Sequence, residues 1–402
     1  MRHLVLILCS FILTAQDIAV RADKLYPVSG HSIDDGIVII QKGKITAVGK
    51  AADIKVPEGM TILHHAVVVP GLIDGHSTVG FSGLLNQPHD QDQVERSAPI
   101  QPELRAIDAY NPKDPLVRFL ANRGITTVHT GHGPGALISG QTLIAKTYGH
   151  TIDETVVVPE AMIAATLGDA VRNTEGRAPG TRSKAMAMLR SELLSAQAFM
   201  KKNSTVKPGQ EPDRNLRMEA LAQVLKRERP LLITAQKSID IMGALRLAKE
   251  FNIPVILDGA ADAHLLIPEI KAAGVSILIH PLMTYPRGDM ENLNLETPAL
   301  LRQAGIPFAF QSGFEAYVPK TRVVLWEAAM AAGNGLSFED TLYAVTLGTA
   351  RLLGIEGRVG SLDVGKDGDL ACFTGDPFEW TTRCSGTLIH GRLISEGETT
   401  QD

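Results

Sequence analysis

Eight short runs of β-branched and aliphatic residues, separated by stretches with helical spacing, restrict the fold of this chain more than any other feature. The runs are Val67 to Asp74, Thr126 to Thr130, Thr142 to Lys146, Val156 to Ala164, Leu231 to Ala235, Val255 to Leu257, Ser276 to Ile279 and Phe308 to Phe310. Among the intervening stretches, apolar residues recur every three or four positions in Ser183 to Lys201, Ile239 to Phe251, His264 to Ala273, Arg322 to Ala332 and Phe338 to Gly348. Several such stretches end on a helix stop, as in Ala272-Ala273-Gly274 and Gln303-Ala304-Gly305. Strands apolar on both faces that alternate with amphipathic helices argue for parallel βα units. Eight of them predict an α/β fold, a (β/α)8 TIM-like barrel over residues 70–352. The polar residues that follow each run then lie at the barrel's C-terminal mouth, where such a fold keeps its chemistry.

The two chain ends read differently. Ile18 to Ala22, Gly36 to Ile40 and Lys44 to Gly49 are short β-branched runs bounded by Gly, Asp or Pro, and comparable runs return at Ala371 to Phe373 and Thr387 to Arg392. They predict a small β-domain beginning at the first end, with further strands at the other. Ahead of it, Arg2 and His3 precede an apolar segment, Leu4 to Leu13, and then Thr14-Ala15-Gln16. This pattern predicts a signal peptide over residues 1–15 and an exported protein, periplasmic or secreted. No other segment reaches the roughly 18 apolar residues that a membrane span requires, so no span is expected. With 402 residues, 44% hydrophobic and 21% charged, the chain has enough apolar material for a barrel and a smaller domain. Its net charge of −5 without long like-charge runs argues against a nucleic-acid surface. Beyond the leader two cysteines remain, Cys372 and Cys384, which either pair or stay free and buried. Lys202 to Arg214, with Pro208, Gly209 and Pro212, reads as an exposed loop.

Pro70-Gly71-Leu72-Ile73-Asp74-Gly75-His76-Ser77-Thr78 resembles the first-strand signature of the amidohydrolase superfamily, P-G-[LF]-I-D-x-H-x-H. Pro102 to Pro112, Gly124 to Val128 and Gly140 to Gly149 are similar to phrases of its imidazolonepropionase-like branch, and Gly360 to Leu370 to the phrase that closes the family's end domain, which implies a small composite β-sandwich domain formed by residues 16–69 plus 353–402. The resemblance covers nearly the whole chain. It implies hydrolysis of non-peptide C–N bonds, in cyclic amides or dipeptide-like compounds, by a water that a divalent metal such as zinc activates.

The resemblance also assigns a ligand position to most strand ends, and here those positions depart from the pattern. The first histidine of the signature is His76, but the second is Thr78. On the fourth strand the lysine position is Ile163, with Glu160 nearby as an unaligned carboxylate; the fifth strand has Thr234-Ala235-Gln236-Lys237 where the branch has histidines. On the sixth strand Gly259 follows Asp258 in place of a histidine, while His264 fits a second histidine that either faces substrate or caps the next helix. On the eighth, Ser312 occupies the place of the acid–base aspartate. Only His76 aligns convincingly, and one imidazole does not hold a catalytic ion.

Three readings follow. In the first, the site is degenerate at His76, Thr78, Thr234, Gln236, Gly259 and Ser312, and the chain supports a catalytically complete homologue as its partner, with no cofactor of its own. In the second, the chain is an active metal-dependent hydrolase with a relocated site, in which His76, His132 and His280 hold zinc, with His264, Asp74 and Asp258 as further candidates; the competing view is that each histidine is a satisfied polar residue near a loop. In the third, Lys237, Arg105 and His264 bind an anionic small molecule. Arg105, Asp108, Asn111 and Gln141 match branch phrases, and bracing a loop accounts for them as well as contact with a ligand does.

Overall fold

A computed structural model describes residues 17–84, 87, 89, 91–173, 178–204, 213–314 and 324–396. The leader at residues 1–15, and most of the expected loop after Lys202, lie outside the described residues.

Strands from the two ends share one seven-stranded sheet. It contains β1 (Ile18–Leu25), β2 (Ile33–Gln41), β3 (Lys44–Lys50) and β4 (Thr61–Pro70) from the first end, and the last three strands from the other. Next along the chain come β5 (Leu72–Ser77), β6 (Ile125–Thr130), β7 (Ile138–Gln141), β8 (Leu143–Lys146), β9 (Val156–Val158), β10 (Ile163–Thr166), β11 (Leu231–Ala235), β12 (Val255–Gly259), β13 (Ser276–Ile279) and β14 (Phe308–Phe310). The chain returns to the first sheet through β15 (Leu370–Phe373), β16 (Cys384–Ile389) and β17 (Arg392–Ser395). β15 closes it by pairing antiparallel with β4, from Leu370 opposite Pro70 to Phe373 opposite Val67. Strands from both chain ends are thus hydrogen-bonded in one sheet.

β5 to β14 form a four-stranded sheet, β5-β6-β8-β9, and a six-stranded one, β14-β13-β12-β11-β10-β7. β7 and β8 are separated by Thr142 alone, and at the other side Gly313 N donates to His76 O at 3.1 Å beside a parallel bridge between Ser77 and Gly313. The pairings β10 to β14 and β5 to β6 are parallel, but β8 runs antiparallel to β6 and β7 antiparallel to β10. The third expected strand is thus reversed, because the chain returns from β6 through residues 131–142, which include β7, rather than through a helical crossover. The run Val67 to Asp74 is divided: its first half belongs to the end sheet and its second to β5. Gly71 makes the break, since a Cβ there would fall 2.2 Å from the Thr126 hydroxyl. Val156 to Ala164 is divided too, into β9 and β10, so that Thr166 rather than Ala164 ends the strand.

Helices over Arg182–Asn203, Ser238–Phe251, Ile267–Ala273, Thr297–Ala304, Val324–Ala332, Phe338–Ala344 and Leu347–Leu352 pack around these strands. Gly274 and Gly305 end theirs in the left-handed conformation, at φ 64° and 71°, as the sequence suggested. Lys146, almost wholly buried, ties β8 to the end sheet through Asp369 and, at 3.3 Å, Asp367. Cys372 and Cys384 are both free. Cys372 packs into the core of the end sheet and Cys384 into the larger core on the opposite face, because Cys384 lies opposite Phe373 rather than Cys372.

Candidate functional site

Strand periodicity builds the site, because residues two apart on a strand share a face. Ile73, Ile144, Met162, Leu232, Ile256, Leu278 and Ala309, one from each of seven strand positions, meet as an apolar plug with Leu353, Ile355 and Val359. Two residues further toward the C-terminal ends come Thr234, Asp258, His280 and Gln311, while on the reversed strand the equivalent step leads back from Ile144 to Thr142. A polar layer therefore lies directly above the plug.

Asp258 is the hub of that layer. It is buried and accepts hydrogen bonds from the Thr234 hydroxyl at 2.5 Å and the Gln311 amide at 2.5 Å, with His76 Nδ1 at 3.1 Å. Gln311 is itself fixed by donating to Leu278 O at 2.7 Å. Asp74, fully buried, accepts from Ser312 N at 2.9 Å, from the Ser312 hydroxyl and from His76 N at 3.3 Å. The His129 ring lies 5.2 Å from that of His76 and is saturated, with Nδ1 2.7 Å from Gly75 O and Nε2 2.6 Å from the Thr142 hydroxyl. Among the described residues, His76 Nε2 is buried without a partner, and so is the Ser77 hydroxyl.

The charges follow from these contacts. Burial alone would pull the His76 imidazole down and push the Asp258 carboxyl up. Their mutual attraction and hydrogen bond outweigh it, together with the Thr234 and Gln311 donors to Asp258, so His76 titrates above its ordinary value and Asp258 below. For Asp74 burial wins over its three donors and raises the carboxyl to about 7. Burial, with the His76 charge beside it, lowers His129 to about 3 and keeps it neutral.

The other positions singled out in the sequence have separate partners. Gln236 accepts from Ala261 N at 3.0 Å and fills the space a side chain at Gly259 would need: a Cβ there would lie 2.4 Å from its amide nitrogen, at a φ of 83°. Thr78 is buried, its methyl against Gly133. His132 is buried against Phe81, its ring 5.8 Å away, and His280 has Nδ1 3.6 Å from Glu327. Among the described residues, no three His, Cys, Asp or Glu side chains are placed to hold a metal ion, so the relocated set of His76, His132 and His280 is not assembled. Nor do the residues at the family's ligand positions fit a divalent ion, since Thr234 and Ser312 spend their hydroxyls on Asp258 and Asp74, and His76 Nδ1 is engaged by Asp258. Lys237 reaches Glu291 at 3.3 Å, Arg105 faces Asp108 and Glu160, and His264 Nδ1 lies 3.4 Å from the Thr297 hydroxyl. Glu160 precedes β10 and pairs with Arg229, which precedes β11, so both sit at the end away from the mouth.

Comparison with known proteins agrees with this arrangement of strands. A family model described as amidohydrolase family matches residues 256–395. An amidohydrolase from Thermotoga maritima MSB8 superposes with a TM-score of 0.88 at 26% identity, covering 94% of this chain and 100% of that one. The amidohydrolase tasK of Hapsidospora irregularis is 24% identical over 399 residues, which are 87% of this chain but 40% of that protein. The chain thus spans less than half the length of that curated relative. A prolidase complexed with N-methylphosphonate-L-proline shares the fold, with a TM-score of 0.58 at 15% identity and coverage of 95% of this chain and 100% of that one.

Proposed function

The chain is a member of the amidohydrolase superfamily, and on that premise we propose that it keeps the scaffold without a divalent-metal centre and serves as a supporting subunit of a catalytically complete homologue. The scaffold in this reading is a (β/α)8 barrel with one reversed strand, joined to an end domain built on the seven-stranded sheet. The observation that carries it is the reuse of the substituted positions. Thr234 donates to Asp258 and Ser312 donates to Asp74, and Gln311 beside Ser312 also donates to Asp258, so the carboxylate oxygens are satisfied by the protein's own groups. Two such acids with a satisfied shell do not need a cation, and a cation would have to displace those donors.

A partner is supported by the surface. The chain's two tryptophans, Trp326 and Trp380, lie side by side with ring centroids 5.8 Å apart, 39% and 83% exposed, beside Leu325 and Phe373. Exposed tryptophans of this kind anchor protein interfaces. The pairing belongs, in this proposal, to the exported compartment that the leader suggests.

The test is the zinc, manganese and iron content per chain, measured on the protein purified without chelator, alone and together with any co-purifying homologue. The expected result is no stoichiometric metal in the isolated chain and metal only in the complex. Near one equivalent in the isolated chain refutes the proposal.

A further inference from the structure

We infer that the cleft between the helix Arg182–Asn203 and the helix Ser238–Phe251 is a binding site for a small organic carboxylate with an apolar body. The inference goes beyond a supporting role, since it places a ligand site on the barrel's flank, apart from the polar layer of the mouth. The cleft encloses about 310 Å³, and none of its lining residues belongs to the Asp258 network.

Helical spacing sets its walls. Arg182, Met186 and Arg190 follow one another at steps of four and share one face of their helix, and Ile239, Gly243 and Arg246 share the facing side of the other. Leu167 and Ala185, both buried, add apolar wall between them. Gly243 leaves the cleft open. A Cβ there would meet Met186 Sδ at 3.5 Å and Leu167 Cδ1 at 3.7 Å, which are ordinary contacts, and its backbone is helical, so neither crowding nor conformation requires glycine. Glycine is a poor helix former, and its place in mid-helix is a cost that packing alone does not explain. A longer side chain would fill the space. Ile239, 59% exposed, adds apolar surface at the rim.

Charge is uneven along the cleft. At one end Arg182 is spent: Nε and Nη2 donate to Asp240 at 2.9 and 3.1 Å, and Asp169 lies 3.2 Å away. Two turns on, Arg190 gives only Nε to Glu250, at 2.7 and 3.0 Å, and neither of its terminal nitrogens has a partner among the described residues. Arg246 makes no hydrogen bond or ion pair among them either. Two guanidiniums thus face one cleft against a single carboxylate, which leaves one positive charge in excess. A guanidinium presents a planar fork of donors that matches a carboxylate. One excess charge suits a monoanion better than phosphate, and the apolar walls suit a hydrocarbon body. With no imidazole, thiol or amine among the lining residues, the cleft binds its ligand without transforming it.

The experiment titrates the isolated full chain with sodium 3-phenylpropionate by isothermal calorimetry, with 3-phenylpropan-1-ol and inorganic phosphate as comparisons. Saturable binding of the carboxylate at one site is expected, weakened by salt, with the alcohol and phosphate both binding less tightly. Arg246→Gln should weaken it about tenfold and Arg190→Gln comparably, the scale of one charge-assisted hydrogen bond. Gly243→Leu, whose side chain enters the cleft, should abolish it. No saturable binding, binding unchanged by Arg246→Gln, or an alcohol or phosphate that binds as tightly as the carboxylate overturns the inference. If Gly243→Leu does not fold, Arg246→Gln at an exposed position still decides. Metal content and co-purification test the supporting role separately.

Discussion

Asp74→Asn isolates the most unusual charge in the mouth. The wild-type carboxyl titrates at about 7 in the folded chain against an ordinary value of 3.8. A folded acid with a raised pKa holds its proton between those two values while the unfolded chain has released it. Stability therefore falls as pH rises from about 4 to about 7 and is flat above. A displacement of about three pH units at 1.36 kcal/mol each corresponds to about 4 kcal/mol lost over that window. The asparagine is nearly isosteric: its carbonyl accepts from Ser312 N and His76 N, and its amide can donate to the Ser312 hydroxyl, which rotates to accept. The variant should match the wild type near pH 4 and exceed it by about 4 kcal/mol at pH 8. Urea denaturation at one-unit intervals from pH 4 to pH 8 reads the difference directly, and because His76, Asp258 and the surface groups titrate in both proteins, most of their contribution cancels. A wild-type–variant difference that does not change with pH would show that Asp74 is already ionised at pH 4, and would remove the basis for treating burial as the dominant force on it.

Three further outcomes follow from other contacts. Lys146→Met leaves Asp369 and Asp367 buried without their shared cation and should cost about 3–5 kcal/mol in chemical denaturation, whereas a loss below about 1 kcal/mol would mean that Lys44, Arg358 and His390 carry the pair unaided. Gly259→Ala should be destabilising both from its φ of 83° and from the Gln236 amide in its path, and Gln236→Ala should recover part of the loss, a coupling of about 0.5–3 kcal/mol in a double-mutant cycle. Cys372 and Cys384, facing opposite sides of their sheet, should both remain alkylatable after unfolding of protein kept under oxidising conditions; a Cys372–Cys384 crosslinked peptide in a non-reducing digest would contradict that geometry.

Much of the scaffold was legible because strand and helix periods are local. Leu231 to Ala235, Ser276 to Ile279 and Phe308 to Phe310 were read to the residue, since each is a short apolar run bounded by Pro, Gly or a polar turn. The division of Val67 to Asp74 was not legible. Its two halves are equally apolar, and only the packing of Gly71 on Thr126 and the pairing of Val67 to Pro70 with β15 send them to different sheets. The reversal of the third strand escaped for the same reason, as hydrophobicity carries no direction. Helices such as Thr297–Ala304 are short and lack a long periodic run.

At the site, the sequence located most of the residues and misjudged their relations. His76, Thr234, Gln236, Gly259 and Ser312 were each identified by position at a strand end. Asp258, one candidate among several in the sequence, emerged as the hub because three donors from β5, β11 and the end of β14 converge on it. One signal could have found it: Asp258, Thr234 and Gln311 each lie two residues beyond an apolar plug residue, and period two puts them on one face. What the sequence by itself determined was local: which segments form strands and helices, where each strand ends, and which polar residue stands there. Only the tertiary structure decided which of those residues share hydrogen bonds, because partners separated by 182 and 238 residues, as His76 and Asp258 or Asp74 and Ser312 are, have no local pattern to announce them. It is that convergence, in a buried layer where an unmatched charge is costly, that turns isolated substitutions into a self-satisfied network.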